Sequence, residues 1–352
     1  MLKRAREHVS HAFQNSSIPR EVDILDDMDV KRTRINFVDL LKRIGTTSVV
    51  AFAALTFPSV LPWMIAFWIA CHTLLAKWKR PAWAPLAICL VILIAKLVPR
   101  TPAMLALGVV LAGVAAIRFK YRKQPDAAPR WWIGAGVLWL AWAGVLVEWK
   151  AIGRCDSALA FNPNRTVVCI GDSLTDGLLP DHGYPEQLKA MVNVSVVNLG
   201  FSGMSAAQGL GQMKRVLAED PQVVVIELGG HDFLRGHGRK ATKRNLTGMI
   251  KECRVGGADV VLMEIPRGFI FDPYASLERE IAYEQDVQLV PDTWLRQIVI
   301  FGPAAPPGRW IPGSQLSDDG IHSNRKGSQA IAKHVLAALK QMYGSQIVAP
   351  EQ

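Results

Sequence analysis

Ser173 stands in the run Val168-Cys169-Ile170-Gly171-Asp172-Ser173-Leu174-Thr175-Asp176-Gly177, where an apolar segment ends in Gly-Asp-Ser. A small residue after a strand lets the backbone turn sharply, which exposes the serine at the carboxyl edge of a sheet. A serine hydroxyl is a weak nucleophile and needs a base within hydrogen-bond reach, itself oriented by a third group. The run Ser317-Asp318-Asp319-Gly320-Ile321-His322-Ser323-Asn324 offers both, His322 as base and Asp319 as orienter. Serine, then aspartate, then histidine is one of several chain orders that build a triad. The oxyanion formed on attack needs fixed donors. Candidates are the backbone N–H groups of Ser173 and of Gly203, the latter in Asn198-Leu199-Gly200-Phe201-Ser202-Gly203. The side chain of His231, in Glu227-Leu228-Gly229-Gly230-His231-Asp232-Phe233-Leu234-Arg235-Gly236, is a third. Taken alone, Gly-Asp-Ser-Leu also fits a plain turn in which Ser173 caps a helix. The other blocks favour chemistry, because each of the three is placed to reach the same sheet edge. The motif is not the Gly-x-Ser-x-Gly elbow.

The elements that must hold these blocks are legible from residue 165 onward. Val/Ile-rich runs at 166–170, 194–198, 223–228, 260–265 and 287–290 read as strands. Helix-length stretches lie between and after them, at 184–191, 205–219, 242–254, 274–285 and 326–342. Apolar strands alternating with helices predict an α/β domain with a parallel sheet covered on both faces. The predicted boundaries are a polar basic tail at 1–46, a transmembrane helical region at 47–150, a linker at 151–164, the α/β domain at 165–345 and a C-terminal tail at 346–352.

The first half has a different character. Apolar runs occupy 47–76, 82–98, 102–117 and 131–147, with tryptophans at their ends (Trp78, Trp83, Trp131, Trp132, Trp149) as in an interfacial belt. Pro58 and Pro62 break the first run, which is either one kinked helix or a hairpin of two short ones, giving four or five segments. The net charge of +10 is uneven. Residues 1–150 hold 20 Lys and Arg against 9 Asp and Glu, and residues 151–352 hold 20 against 21. The basic excess therefore borders the apolar runs rather than a soluble face, which argues against a nucleic-acid partner. Basic residues at 77–80 and 118–123 belong on the cytoplasmic side by the positive-inside rule. With the hairpin, the C-terminal domain then lies outside the cytoplasm. The start lacks the apolar core of a cleavable signal peptide.

The four blocks, in this order and at these separations, resemble the SGNH/GDSL hydrolase family, and within it the bacterial arylesterase and thioesterase/lysophospholipase branch. Tyr184-Pro185 and the Glu-Leu-Gly-Gly-x-Asp-x-Leu-Arg-Gly run add to the likeness, which spans roughly residues 165–342. The resemblance implies a flavodoxin-like three-layer α/β/α sandwich, with Ser173 as nucleophile, Asp319 and His322 completing the triad, and Gly203 as oxyanion donor. The family usually has asparagine where this chain has His231. A neutral imidazole retains one N–H donor.

The expected function is a membrane-anchored serine esterase acting on a carboxylic ester or thioester. The substrate is a small-molecule or lipid acyl ester, the location a bacterial inner membrane, and no metal or organic cofactor is required. Two alternatives share the motifs: an O-acyltransferase acting on an envelope glycan or lipid, and a membrane-tethered binding domain weakened at His231. Protein partners are unknown from sequence. The five cysteines have no metal-ligand spacing and read as small apolar residues. His72 reads as a packing or interfacial residue, and His182 as a turn residue. His237 reads as a solvated loop residue, and 301–312 as either a lid or an ordered surface loop.

Overall fold

The computed structural model describes residues 60–95, 100–123, 130–157, 159–177, 179, 182–265, 273–291, 295, 316–317 and 322–350. The predicted tail at 1–46, the first part of the first apolar run, the segment 301–312 and Asp319 lie outside these residues.

Among the described residues four apolar helices come first: α1 (Val60–Lys77), α2 (Trp83–Ala95), α3 (Pro102–Lys120) and α4 (Trp131–Ala151). Pro62 does not break α1. It sits in the first turn, where its missing N–H would have no helical partner in any case. Two of the helices, α3 and α4, are long and apolar enough to cross a membrane, and the other two are shorter. Ile65, Ile69, Leu86, Leu107, Leu111, Leu138 and Trp149 form a common apolar cluster. Glu148 ties the end of α4 to the start of α3, accepting from the Thr101 hydroxyl and, at 3.4 Å, from the Ala103 N–H. His72 is buried, with Nδ1 2.8 Å from the Ala82 carbonyl, which is the packing role expected of it.

The α/β domain follows. Its five strands are β1 (Thr166–Gly171), β2 (Val196–Asn198), β3 (Pro221–Glu227), β4 (Asp259–Met263) and β5 (Gln288–Val290), all parallel in the order β2-β1-β3-β4-β5. All five predicted strands are present. Strand periodicity divides the core into two layers. Val167, Cys169, Val223, Val225, Val261 and Met263 pack with Leu188, Ile331, Val335 and Leu339 on one face. Val168, Ile170, Val224, Ile226, Val260 and Leu262 pack with Met213, Leu246, Met249, Ile250 and Ile281 on the other. This strand order reverses direction beside β1, and ligands bind such sheets outside the carboxyl edge at the reversal.

The helices of this domain are α5 (Ser173–Asp176), α6 (Tyr184–Lys189), α7 (Ala206–Gly211), α8 (Met213–Ala218), α9 (Gly230–Leu234), α10 (Arg239–Val255), α11 (Leu277–Gln285) and α12 (Arg325–Tyr343), and several boundaries differ from expectation. The stretch 205–219 forms two short helices, Ala206–Gly211 and Met213–Ala218, joined at Gln212. The helix expected from 274 starts later, at Leu277 (α11, Leu277–Gln285), because Ser276 takes a left-handed conformation. Beyond the last helix (α12, Arg325–Tyr343), residues 346–349 are not a free tail. Ile347 is buried, Val348 bridges Val192, and the Ala349 N–H donates to the Met191 carbonyl. The predicted linker also packs closely, with the Leu289 N–H donating to the Gly153 carbonyl at 2.8 Å.

Candidate active site

The site begins where β1 ends. Gly171 has no room for a side chain: a Cβ there would lie 2.0 Å from Thr175 Oγ1 and 2.6 Å from Glu227 Oε2. The chain then enters a single helical turn, Ser173–Asp176. Its cap is Asp172, whose Oδ1 accepts the Leu174 N–H at 3.2 Å. The serine is therefore not the cap that the plainer reading of the motif allows.

The second block lies against this turn. Phe201 N–H donates to the Gly171 carbonyl at 3.0 Å, and Ser202 donates to Asp176 Oδ2 through its N–H at 2.9 Å and its hydroxyl at 2.6 Å. A Cβ on Gly200 would fall 2.4 Å from the Asp176 nitrogen, so only glycine permits this approach. Gly203 adopts φ +85°, and Arg235 of the third block holds its carbonyl through Nη2 at 2.8 Å. The third block is anchored by Asp232, which is buried. Its carboxylate accepts from the Ala206 N–H at 2.7 Å and the Thr242 hydroxyl at 3.2 Å, and lies 3.3 Å from His237 Nδ1. His237, expected in solvent, is thus half-tied to the block by an acid of its own loop. His182 is a turn residue as expected, its carbonyl accepting from the Ser328 hydroxyl.

Beneath the turn that carries Ser173 lies a carboxyl pair that motif reading missed. Glu227 ends β3 in register with Gly171 and is fully buried. Its Oε2 accepts from the Asp172 N–H at 3.1 Å and from Thr175 Oγ1 at 2.9 Å. Burial pushes the Glu227 carboxyl well above the ordinary range, and the neighbouring Asp172 charge acts in the same direction. Burial also raises Asp172, but the Leu174 N–H, His231, Glu227 and His322 all pull it back down. Both carboxyls are therefore raised, Glu227 the further, and burial favours its protonated form. The available signal was an acid closing an otherwise apolar run, Val-Val-Val-Ile-Glu.

A Cβ on Gly230 would lie 3.1 Å from Asp172 Oδ2, so the third block meets the residue beside Ser173, and the charges of His231 and His322 both favour the Asp172 carboxylate. His322 precedes the start of α12, where Asn324 caps the helix by accepting the Gly327 N–H at 3.1 Å. A Cβ on Gly327 would lie 2.2 Å from the Leu316 carbonyl, which packs the segment before His322 tightly against the helix. Thus Ser173, Gly203, His231 and His322 gather at one sheet edge. Asp319 lies outside the described residues. All five cysteines are free thiols. Burial pushes Cys169 and Cys253 up to about 12, so both remain protonated at neutral pH.

Comparison with known proteins gives the family. Residues 169–330 match the model of the GDSL-like Lipase/Acylhydrolase family. The chain is 30% identical over 177 residues to the Thioesterase 1/protease 1/lysophospholipase L1 of Escherichia coli K12, covering 47% of this chain and 79% of that protein. It is 31% identical over 202 residues to an arylesterase of Vibrio mimicus, covering 53% and 92%. A crystal structure of TesA covers 50% of this chain and 98% of its own at 28% identity, with a TM-score of 0.41. The class defined is an ester-cleaving enzyme built on a parallel α/β sheet. The chain belongs to the GDSL-like lipase/acylhydrolase family.

Proposed function

We propose that this protein hydrolyses carboxylic ester or thioester bonds through an acyl-serine on Ser173, from a domain tethered to a membrane by its N-terminal helices. The observation that carries the reading is the placement of Ser173 after β1, Gly203 after β2 and His231 after β3 at one edge of the sheet, with the Arg235 guanidinium on the Gly203 carbonyl and Gly230 packed against Asp172. The Ser173 oxygen attacks the acyl carbon while His322 takes the hydroxyl proton. Asp319 orients His322. The oxyanion lies between the N–H groups of Ser173 and Gly203 and the side chain of His231. Collapse breaks the bond to the leaving alcohol or thiol, which receives the proton from His322. Water then attacks the acyl-serine, His322 takes its proton, and the acid departs as Ser173 is restored. Thioester, aryl ester and lysophospholipid cleavage are named for the relatives above. The present domain is read as sharing that chemical class.

Membrane anchoring is supported by the outward faces of the helices. Val91, Ile94, Leu105, Val109, Leu140 and Val147 are all exposed, a large apolar surface for a helix bundle in water. Sidedness has support in the bundle itself. Lys79, Arg80, Arg118 and Arg122 line one pocket at one end. The Thr101–Glu148 bond marks the opposite end, where α4 leads into the catalytic domain. With the basic end cytoplasmic, the domain lies outside.

The deciding experiment is labelling by a fluorophosphonate probe in intact and permeabilised cells. Labelling in intact cells that is lost in Ser173→Ala is the expected result. Labelling that requires permeabilisation would overturn the sidedness, and no labelling in either would overturn the nucleophile.

Position 231 gives a second test. His231→Ala should lower kcat on a short aryl ester by about 10²-fold or more with a smaller change in KM, because an oxyanion donor acts mainly in the transition state. His231→Asn should retain or raise activity. Equal turnover by the alanine variant and the parent would remove position 231 from the oxyanion hole.

A further inference from the structure

The helical bundle and the α/β domain belong to one compact unit, and the route between them determines which way the active site faces. Trp149, in the last turn of α4, is part of the bundle's apolar cluster. Its carbonyl accepts from Arg279 Nη1 at 3.2 Å, and the Arg279 guanidinium lies 4.4 Å from the centre of its ring. Arg279 is in the first turn of α11 and forms a two-pronged buried pair with Glu264, through Nε at 3.2 Å and Nη2 at 2.7 Å. Glu264 follows directly on β4, so this junction sits at the carboxyl edge of the sheet. That is the edge carrying Ser173 after β1, Gly203 after β2 and His231 after β3.

From Trp149 the chain descends the sheet from that edge to the opposite one. Gly153 pairs with Leu289 in the middle of β5. The Cys155 N–H donates to Gln288 Oε1 at 3.0 Å, and its thiol meets Asp286 at 3.2 Å, at the start of β5. Ser157 then bonds Asp259 at the start of β4. Arg165 reaches Asp220 at 3.0 Å, below β3, before the chain turns up into β1. The membrane helix therefore arrives at the catalytic edge, and the far edge is reached only by this descending strap. Around the catalytic edge three large apolar side chains stand exposed on three separate segments: Leu179 at 58%, Phe201 at 64% and Leu234, at the end of the short helix Gly230–Leu234, at 57%. None of them is assigned a part in the chemistry.

On these grounds, and resting on the anchored-esterase reading above, we infer that the catalytic edge faces the bilayer in which the protein is anchored. Leu179, Phe201 and Leu234 dip into its surface, and the enzyme takes acyl esters resident in that bilayer. The Arg279–Glu264–Trp149 junction sets the orientation, because a guanidinium held by a buried carboxylate and a helix-end carbonyl leaves the domain little freedom to swing. Apolar side chains at an interface also lower the free energy of the enzyme against lipid in proportion to the area they bury.

The test uses the full-length protein in nanodiscs of phosphatidylcholine and phosphatidylglycerol. The bilayer-resident probe is 4-methylumbelliferyl palmitate, placed either in the same discs as the enzyme or in separate discs, and the soluble probe is 4-nitrophenyl acetate. Palmitate turnover is expected to be about tenfold or more faster in the same disc. Phe201→Asp and Leu234→Asp should each reduce that turnover about tenfold, the partitioning worth of one large apolar side chain, while acetate turnover stays unchanged. Equal palmitate rates in shared and separate discs would overturn the inference. So would variants that change neither substrate, or that lower both equally. Absence of turnover on both esters by the parent protein would instead overturn the esterase reading, and this inference with it.

Discussion

Ser173→Ala is expected to lower ester turnover by about 10⁴-fold or more while leaving stability within about 0.5 kcal/mol of the parent. The first half follows from chemistry, since the substitution removes the hydroxyl on which the proposed acyl intermediate forms. The second half follows from the local structure. Helix capping belongs to Asp172, and the one bond Ser173 contributes to its turn is made by its backbone carbonyl, which accepts the Gly177 N–H. His322→Ala should be comparably damaging, because the hydroxyl then lacks its base. The two changes should not add: residues acting as one unit fail together, so the double variant is expected to match the worse single variant. Asp319→Asn should cost activity, and more than Asp318→Asn. Steady-state hydrolysis of 4-nitrophenyl acetate and a thermal melt of each variant provide the measurements. Substantial turnover by purified Ser173→Ala would end the assignment, and a greater loss in Asp318→Asn would exchange the two aspartates.

The second large effect is expected at Glu227. Removing its carboxyl in Glu227→Ala strands the Asp172 N–H and the Thr175 hydroxyl in a fully buried position. Each buried donor left without a partner costs about 1–3 kcal/mol. The alanine variant should therefore lose about 3 kcal/mol or more, and most of its kcat, because the turn bearing Ser173 loses its floor. Glu227→Gln keeps an acceptor for both donors and supplies an N–H where the protonated carboxyl has its O–H. It should retain activity within a few fold, about 1 kcal/mol in barrier.

The pH dependence separates this account from simple packing. In the unfolded chain Glu227 ionises in the ordinary carboxylate range, whereas burial raises it well above that range in the folded protein. The folded state then binds more protons than the unfolded one, so this group's contribution to stability falls as pH rises above the ordinary carboxylate range. Glutamine has no proton to lose. Between about pH 5 and 8 the melting temperature of Glu227→Gln should rise relative to that of the parent. Parallel profiles for the two proteins would show that Glu227 carries no retained proton.

Much of this protein is legible along the chain because the information is local. Alternating Val and Ile runs at 166–170, 223–228 and 260–265 become strands whose odd and even residues fill the two core layers. Gly171 and Gly200 are required by approaches so close that any side chain would collide. The apolar runs with terminal tryptophans likewise state their own character by length and composition. Ser173, Gly203 and His231 could be named because each stands in a short block after a strand, and His322 because its block precedes the last helix.

What the sequence left open depends on residues far apart in the chain. Glu227 matters only because β3 lies beside β1 and brings it under Gly171, a pairing across 56 residues. Arg235 supports Gly203, and Asp232 joins Ala206 to Thr242, through side chains whose partners lie in other blocks. The break at Gln212 and the late start of α11 at Leu277 are tertiary adjustments of stretches that read as continuous helix. The residues after α12 read as a tail because nothing local announces that Val348 meets Val192. Likewise Arg279 and Trp149, 130 residues apart, carry no joint signal in sequence, yet their contact ties the last apolar helix to the edge of the sheet that carries Ser173. Periodicity and motif spacing reveal which segments are apolar and which residues are reactive. Which segments become neighbours is decided by packing of the whole core, where the entropy of closing long loops is offset only by burial that no single segment achieves alone.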